Sequence, residues 1–222
     1  MAYFEPDFLE FFKELAANNH KDWFDENRKR YHKIVKEPFR AFVTDLIAEI
    51  QKEDARVDIG PSDAIFRINR DIRFSKDKMP YKLHVSAIVS RYGKKDKSYP
   101  GLYVHLDPEH TRFYGGLFRL TPYQTNDLRY AIAENTGKFN KLLKSSDFKN
   151  TFGEVHGEQA KRIPKELKSA AEKEQLIFNK NMYFFNEQPA ELVLSDDLLE
   201  KTMACYHAAK PIHRFFEKAL FE

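Results

Sequence analysis

The densest set of groups able to do chemistry lies between Arg67 and His84, in R-I-N-R-D-I-R-F-S-K-D-K-M-P-Y-K-L-H. Arg67, Arg70, Arg73, Lys76, Lys78 and Lys82 are its cations, and only Asp71 and Asp77 oppose them within the stretch. A guanidinium presents a planar fork of donors that matches a carboxylate or phosphate two bonds at a time. Arginines at steps of three repel one another unless anions sit among them. Two aspartates neutralise at most two of the six cations, so solvent, acids from elsewhere in the chain, or a ligand must answer the rest.

One reading is therefore a site for a phosphorylated or carboxylated small molecule. Arg67, Arg70, Arg73 and Lys78 would clamp it, with Tyr81 and His84 as further donors and Asp71 and Lys82 within the same stretch. Asn27 and Arg28 join this set from a preceding helix. His84 titrates near neutrality in water and suits acid or base work there; the competing reading is a half-buried strand histidine. If a reaction occurs, phosphoryl or nucleotide chemistry fits the cations best, although no carboxylate cluster is suited to Mg²⁺. A nucleic-acid-binding module is the alternative. Arg67, Arg73, Lys78, Lys82, Arg91 and the 94–97 turn would follow a backbone while Tyr81, Tyr92 or Tyr99 stacks on bases. A third reading is an Arg–Asp network that only ties a loop to the helix of Asn27, in a structural or interaction protein. The residues name no catalytic group and no cofactor, and leave open whether the protein is an enzyme.

The elements that must position this stretch follow from periodicity. Asp7 precedes Phe8, Leu9, Phe12 and Leu15 at helical spacing, and Asn18-Asn19 is a stop. A second helix from Lys21 would turn Trp23, Asn27, Tyr31 and Ile34 inward, with Pro38 interrupting it or restarting it as a first-turn residue. Phe39 to Ile50 is strongly amphipathic. Gly60 to Asp63 reads as a turn and Ala64 to Ile68 as a strand. Ser75 to Pro80 is a loop, because Pro80 disfavours helix at Met79. Leu83, Val85, Ala87 and Val89 alternate as a strand, and the lysine run after Gly93 is an exposed turn.

Gly101 to Asp107 and Thr111 to Phe118 form a hairpin, with Leu102, Val104, Leu106 and Phe113 on one face. Tyr103, His105, Arg112 and Tyr114 share the other face. Gly115-Gly116 allows a bend or a close backbone approach. Helices follow from Thr121-Pro122 and around Phe139 to Leu143, and Lys165 to Lys173 reads as a charged, exposed helix or connector. Strand-like alternation returns at Leu176 to Phe185, and a last helix, capped by Ser195, runs through Pro211. The order predicts an α+β fold, a mainly antiparallel sheet with helices packed on it, as a single domain over residues 1–222.

Composition limits the partners. The chain has 222 residues and a net charge of only +3, so no global field points to DNA or to a membrane. Residues 60–100 nevertheless carry +6, with ten Lys and Arg against four acids. The basic excess is local. No apolar run approaches the roughly 20 residues that cross a bilayer. Cys205 is the single cysteine, set among apolar helical neighbours, and with no secretory leader the expected compartment is the reducing cytoplasm. P-loop, G-x-G-x-x-G, G-x-S-x-G and H-E-x-x-H patterns are all absent. His105 and His110 flank a turn without a third ligand in sequence, and His207 and His213 share no helical face well, so no metal is expected.

N-N-H-K-D-W-F-D-E-N-R-K-R-Y (Asn18 to Tyr31), followed by R-I-N-R-D-I-R-F-S-K-D-K-M-P-Y-K (Arg67 to Lys82), resembles a family catalogued as a domain of unknown function, DUF2461. The resemblance runs through nearly the whole chain. It implies a single-domain, mostly bacterial cytosolic protein with no assigned activity and no catalytic residue to carry over. It marks Trp23, Asn27, Arg28, Arg67, Arg70, Asp71, Arg73, Asp77, Lys78, Tyr81 and Lys82 as motif positions.

Overall fold

A computed structural model describes residues 1–222. The fold is α+β, with a four-stranded antiparallel sheet and helices. Contacts divide the chain into two compact units, one of residues 1–94, 103–113 and 187–203, the other of 95–102, 114–186 and 204–222.

In the first unit, helix α1 (Asp7–Ala17) buries Phe8, Leu9, Phe11, Phe12 and Leu15. Helices α2 (Lys21–Glu26) and α3 (Arg28–Tyr31) lead through a wide, π-type turn (His32–Lys36) into α4 (Glu37–Glu53). Pro38 lies in the first turn of α4, where its missing N–H costs nothing. The predicted inner stripe of Trp23, Asn27, Tyr31 and Ile34 is only half-buried, although Trp23 and Tyr31 do pack on Phe11 with ring centres 5.6 and 5.7 Å apart. Phe24 and Val35 are the buried residues of this stretch. The break at Asn27 and the wide turn each shift the helical phase, so a uniform step of 3.6 misses the two most buried positions. Helix α4 buries Phe39, Phe42, Val43, Leu46, Ile47 and Ile50 and packs on strand β1 (Val85–Val89).

The turn expected at Gly60 is instead the start of a one-turn helix, α5 (Pro61–Ala64). The strand expected from Ala64 to Ile68 is reduced to single bridges, Ile65 to Ala87 and Asn69 to Tyr81. The lysine run after Gly93 is not simply solvated. Lys94 donates through Nζ to the carbonyls of Ser62 at 2.5 Å and Ile65 at 3.0 Å, tying the run to α5.

Strands β2 (Leu102–Leu106), β3 (His110–Leu117) and β4 (Met182–Pro189) complete the sheet in the order β1-β2-β3-β4. Burial alternates along β2 and β3 as their sequences predict: Leu102, Val104, Leu106, Thr111 and Phe113 are fully buried, and Tyr103, His105, Arg112 and Tyr114 are half-buried on the opposite face.

In the second unit, helices α6 (Pro122–Glu134), α7 (Thr136–Leu143), α8 (Ser146–Phe152) and α9 (Lys168–Lys173) precede β4, and residues 204–220 of the last helix, α10 (Leu198–Leu220), belong to it. Thr121 and Gln124 form a reciprocal capping box at the start of α6. Helix α8 was not expected. The alternation from Leu176 misleads as well, because Gln175–Phe178 is one tight helical turn and the strand begins only at Met182. Phe148 and Phe152 pack on Phe184 with ring centres 4.9 and 4.7 Å apart.

The close backbone approach at Gly115-Gly116 is present. A Cβ on Gly116 would lie 2.1 Å from the Met182 carbonyl oxygen, and φ is +113°. Behind the pair, His213 Nε2 accepts the Gly116 amide at 2.9 Å. That nitrogen must therefore be unprotonated, and burial pushes the His213 pKa down to about 3.

Two outcomes follow. Gly116→Ala should lose on the order of 2–4 kcal/mol or fail to fold, read by urea denaturation, because both the strained φ and the clash must be relieved. Below its ordinary value of 6.5, an unfolded His213 takes up a proton that the folded chain refuses until about pH 3. The unfolded state then binds more protons, so stability falls as pH drops through that window. A stability-against-pH series should show the advantage of the native chain over His213→Gln shrinking from pH 6.5 downward.

Candidate functional site

The Arg67–His84 stretch is positioned from both sides of Tyr81. Asn19 Nδ2 donates to the Tyr81 carbonyl at 3.0 Å while Tyr81 N donates back to Asn19 Oδ1 at 3.1 Å. The Tyr81 ring is buried and stacks on Phe24 at 4.0 Å and 17°. Between the bridges at Ile65–Ala87 and Asn69–Tyr81 the chain takes four steps on one side and six on the other. The surplus falls where Leu83 and His84 bend. A bulge of this kind re-aims side chains. Here the Lys82 ammonium lies 5.6 Å from the centre of the Phe66 ring, Phe66 packs on Tyr103 at 5.9 Å, and His84 stacks on His105 at 4.1 Å and 29°.

Upstream, Arg70, Arg73 and Lys78 turn to separate partners around an exposed loop over residues 71–79, and Arg67 and Lys76 are exposed. Arg70 donates to Asp77 at 2.5 Å and to the Met79 carbonyl at 3.1 Å. Arg73 grips Asp71 through Nε at 2.9 Å and Nη2 at 2.7 Å. Lys78 donates to the Ile72 carbonyl at 3.0 Å. The Arg73 hydrogen bonds hold the Asp71 carboxyl below its usual range, and the nearby exposed Arg67 adds to this. The Met79 amide, then Arg70, do the same for Asp77. Phe74 projects from this loop 95% exposed, with the Arg73 guanidinium 5.8 Å from its ring centre.

His84 and His105 open onto a second polar cluster. Asp107 Oδ2 lies 2.9 Å from His105 Nε2 and 3.1 Å from Arg112 Nη1. Arg112 Nε donates to Glu187 at 2.6 Å, and Nη2 donates to His110 Nδ1 at 2.9 Å. Burial works to raise the Asp107 pKa, but the His110 and Glu109 amides and the His105 hydrogen bond outweigh it and hold the carboxyl below its usual range. A carboxylate only accepts, so His105 carries its proton on Nε2 and leaves Nδ1 as the basic atom. The same logic gives His110 its proton on Nε2, facing Glu187 at 3.7 Å. Burial, followed by the neighbouring His105 and Lys82, lowers the His84 pKa to about 3. Burial also lowers His105, against the pull of Asp107. Both stacked rings are therefore neutral at physiological pH.

Of the residues nominated from sequence, Lys82 and His84 meet on this sheet face. Arg70, Asp71, Arg73 and Lys78 belong to the loop, and Tyr81 is its buried anchor. Asn27 donates to the Trp23 carbonyl of its own helix at 3.0 Å, and Arg28 pairs with Asp25 and lies over Phe24. Tyr99 is buried like Tyr81, so neither can stack on a base, whereas Tyr92 is 45% exposed. Asp107, Arg112 and Glu187 were not nominated. Alternation had already put Arg112 beside His105, and Asp107 follows His105 by two, but the Arg112–Glu187 pair spans 75 residues and has no local signal.

The fold and the site define an α+β protein whose antiparallel sheet carries an imidazole–carboxylate–guanidinium cluster on its half-buried face. The chain belongs to the family described as conserved hypothetical protein DUF2461, whose model matches residues 7–215. No curated protein and no solved structure matches it.

Arg73→Ala should leave the urea midpoint of unfolding unchanged within error, because an exposed ion pair is screened and costs side-chain entropy to hold, whereas Arg70→Ala, at a half-buried residue that also bonds the Met79 carbonyl, should cost up to about 1 kcal/mol. The Cε1–Hε1 signal of His84 should show no titration between pH 5 and 8 by NMR. A midpoint near 6.5 would mean that the stacked, buried geometry is not kept in solution.

Proposed function

We propose that the protein binds a small phosphorylated or carboxylated ligand at the sheet face in front of His84 and His105. The observation that carries this reading is the pair of neutral imidazoles stacked at 4.1 Å, one oriented by Asp107 at 2.9 Å, beside the positive charge of Lys82. Lys82 supplies attraction for the anion. Asp107 fixes the His105 tautomer, so Nδ1 is a proton acceptor already formed at neutral pH, as general-base work requires. Phe66 and Tyr103 offer an aromatic wall for the body of the ligand. Arg112 holds Asp107, His110 and Glu187 in register and acts as a positioning residue rather than as the clamp.

A second reading keeps the nucleic-acid alternative, and it rests on Phe74. An aromatic ring 95% exposed in a loop with Arg73, Lys76 and Lys78, near the exposed Arg67, offers base stacking beside phosphate neutralisation. Its own salt bridges would hold the loop in shape before any partner arrives.

The two readings separate in one experiment. Histidine signals are followed by NMR while inorganic phosphate, and in parallel a short oligothymidylate, is titrated in. The sheet-face reading expects saturable movement of the His84 and His105 signals with phosphate, weakened about tenfold by Lys82→Ala, as loss of one charge-assisted contact implies. Movement with the oligonucleotide alone, falling steeply with salt and lost in Phe74→Ala, would replace it with the second reading.

A further inference from the structure

We infer that the second unit holds a separate binding groove for a small amphipathic anion, a molecule with an apolar body and one carboxylate or phosphate end. The groove has a volume of about 550 Å³ and is lined by residues between Lys161 and Phe178. Cavities of roughly 300–1,000 Å³ are those that small ligands occupy. Four cations line it, Lys161, Arg162, Lys165 and Lys168, against the single acid Glu172. All four are exposed, and none of their side chains makes an ion pair or hydrogen bond within the chain. The neighbouring carboxylates are engaged elsewhere: Glu158 with Lys180 at 2.5 Å, Glu166 with the Tyr130 hydroxyl at 2.5 Å, and Glu174 with the Leu176 amide at 2.9 Å. The chain therefore leaves this positive charge uncancelled.

The apolar part of the lining is Ile163, Ala171 and Phe178. Its wall is built rather than loose. Arg129, buried and without a carboxylate partner, donates through Nε to the Ile177 carbonyl at 2.9 Å, and the Ala160 amide donates to the Phe178 carbonyl at 2.8 Å. Cations around an apolar lining favour a ligand that offers both chemistries at once. A bare phosphate would leave the apolar surface wet, and a neutral hydrocarbon would leave the cations unused.

Calorimetric titration with decanoate and decyl phosphate tests this, with decanol and inorganic phosphate as single-feature controls. Saturable one-to-one binding of the amphipathic anions is expected, at least roughly tenfold tighter than either control. The double charge reversal Lys165→Glu/Lys168→Glu, at exposed positions that leave the far-UV circular dichroism unchanged, should cost a further factor of roughly ten or more, and Ile163→Ser a comparable one. The reversal should leave the response of His84 to inorganic phosphate intact, so failure here and failure of the sheet-face reading are told apart. Equal binding of inorganic phosphate and decanoate, indifference to both variants, or binding only to phosphatidylglycerol vesicles would overturn the groove.

Discussion

The backbone of Tyr81 is the fixed point on which the cationic motif turns. It is satisfied in both directions by one side chain, Asn19, across 62 residues of sequence, and its ring is stacked on Phe24. A buried backbone segment needs such partners, because each unpaired group costs about as much as a lost hydrogen bond. With Tyr81 pinned, the residues before it are displaced into an exposed loop and those after it enter the sheet. The two-step surplus at Leu83 and His84 is what the chain spends to make that change. It aims Lys82 and His84 at the face of Tyr103 and His105 instead of continuing the ladder.

On that face the electrostatics are set by burial more than by net charge. Lys82 and Arg112 are balanced in number by Asp107 and Glu187, so the cluster is not a simple anion magnet. Its distinguishing feature is order. Arg112 uses its three nitrogens on three different side chains, and Asp107 accepts two amides, an imidazole and a guanidinium at once. Networks satisfied in this way are rigid and fix tautomers. Two imidazoles kept neutral by desolvation, one with a defined free lone pair, are a chemical resource that a randomly solvated pair lacks.

The loop and the groove show two contrasting ways of handling surplus positive charge. In residues 71–79 the aspartates sit two and seven positions from the arginines they meet, and local hydrogen bonds shape the segment. Around Lys161 to Lys168, Glu158, Glu166 and Glu174 are turned away to Lys180, Tyr130 and a backbone amide, and Glu172 alone faces the four cations. A motif rich in charge can therefore be self-contained, while a less conspicuous lysine run is the one left open.

Much of the frame was legible in the sequence because it depends on short-range geometry. The alternation of Leu102, Val104 and Leu106 against Tyr103 and His105 is the pleat itself. The Thr121-Pro122 start is capping chemistry, and the glycine pair at 115–116 reports a backbone too close for a Cβ. The family resemblance carried in Asn18 to Tyr31 and Arg67 to Lys82 was legible for a related reason, since contiguous residues carry it. What sequence could not supply is phase and partnership. The break at Asn27 and the wide turn after Tyr31 interrupt the helical phase between the buried Phe24 and Val35. The meetings of Asn19 with Tyr81, His84 with His105 and Arg112 with Glu187 join segments whose separation along the chain carries no signal. Residue types and spacing determined which groups were available and which side of a strand they would take. Only the tertiary structure decided which charges cancel one another and which histidines are kept neutral, because both outcomes depend on distance and desolvation, and these exist only once the chain has folded.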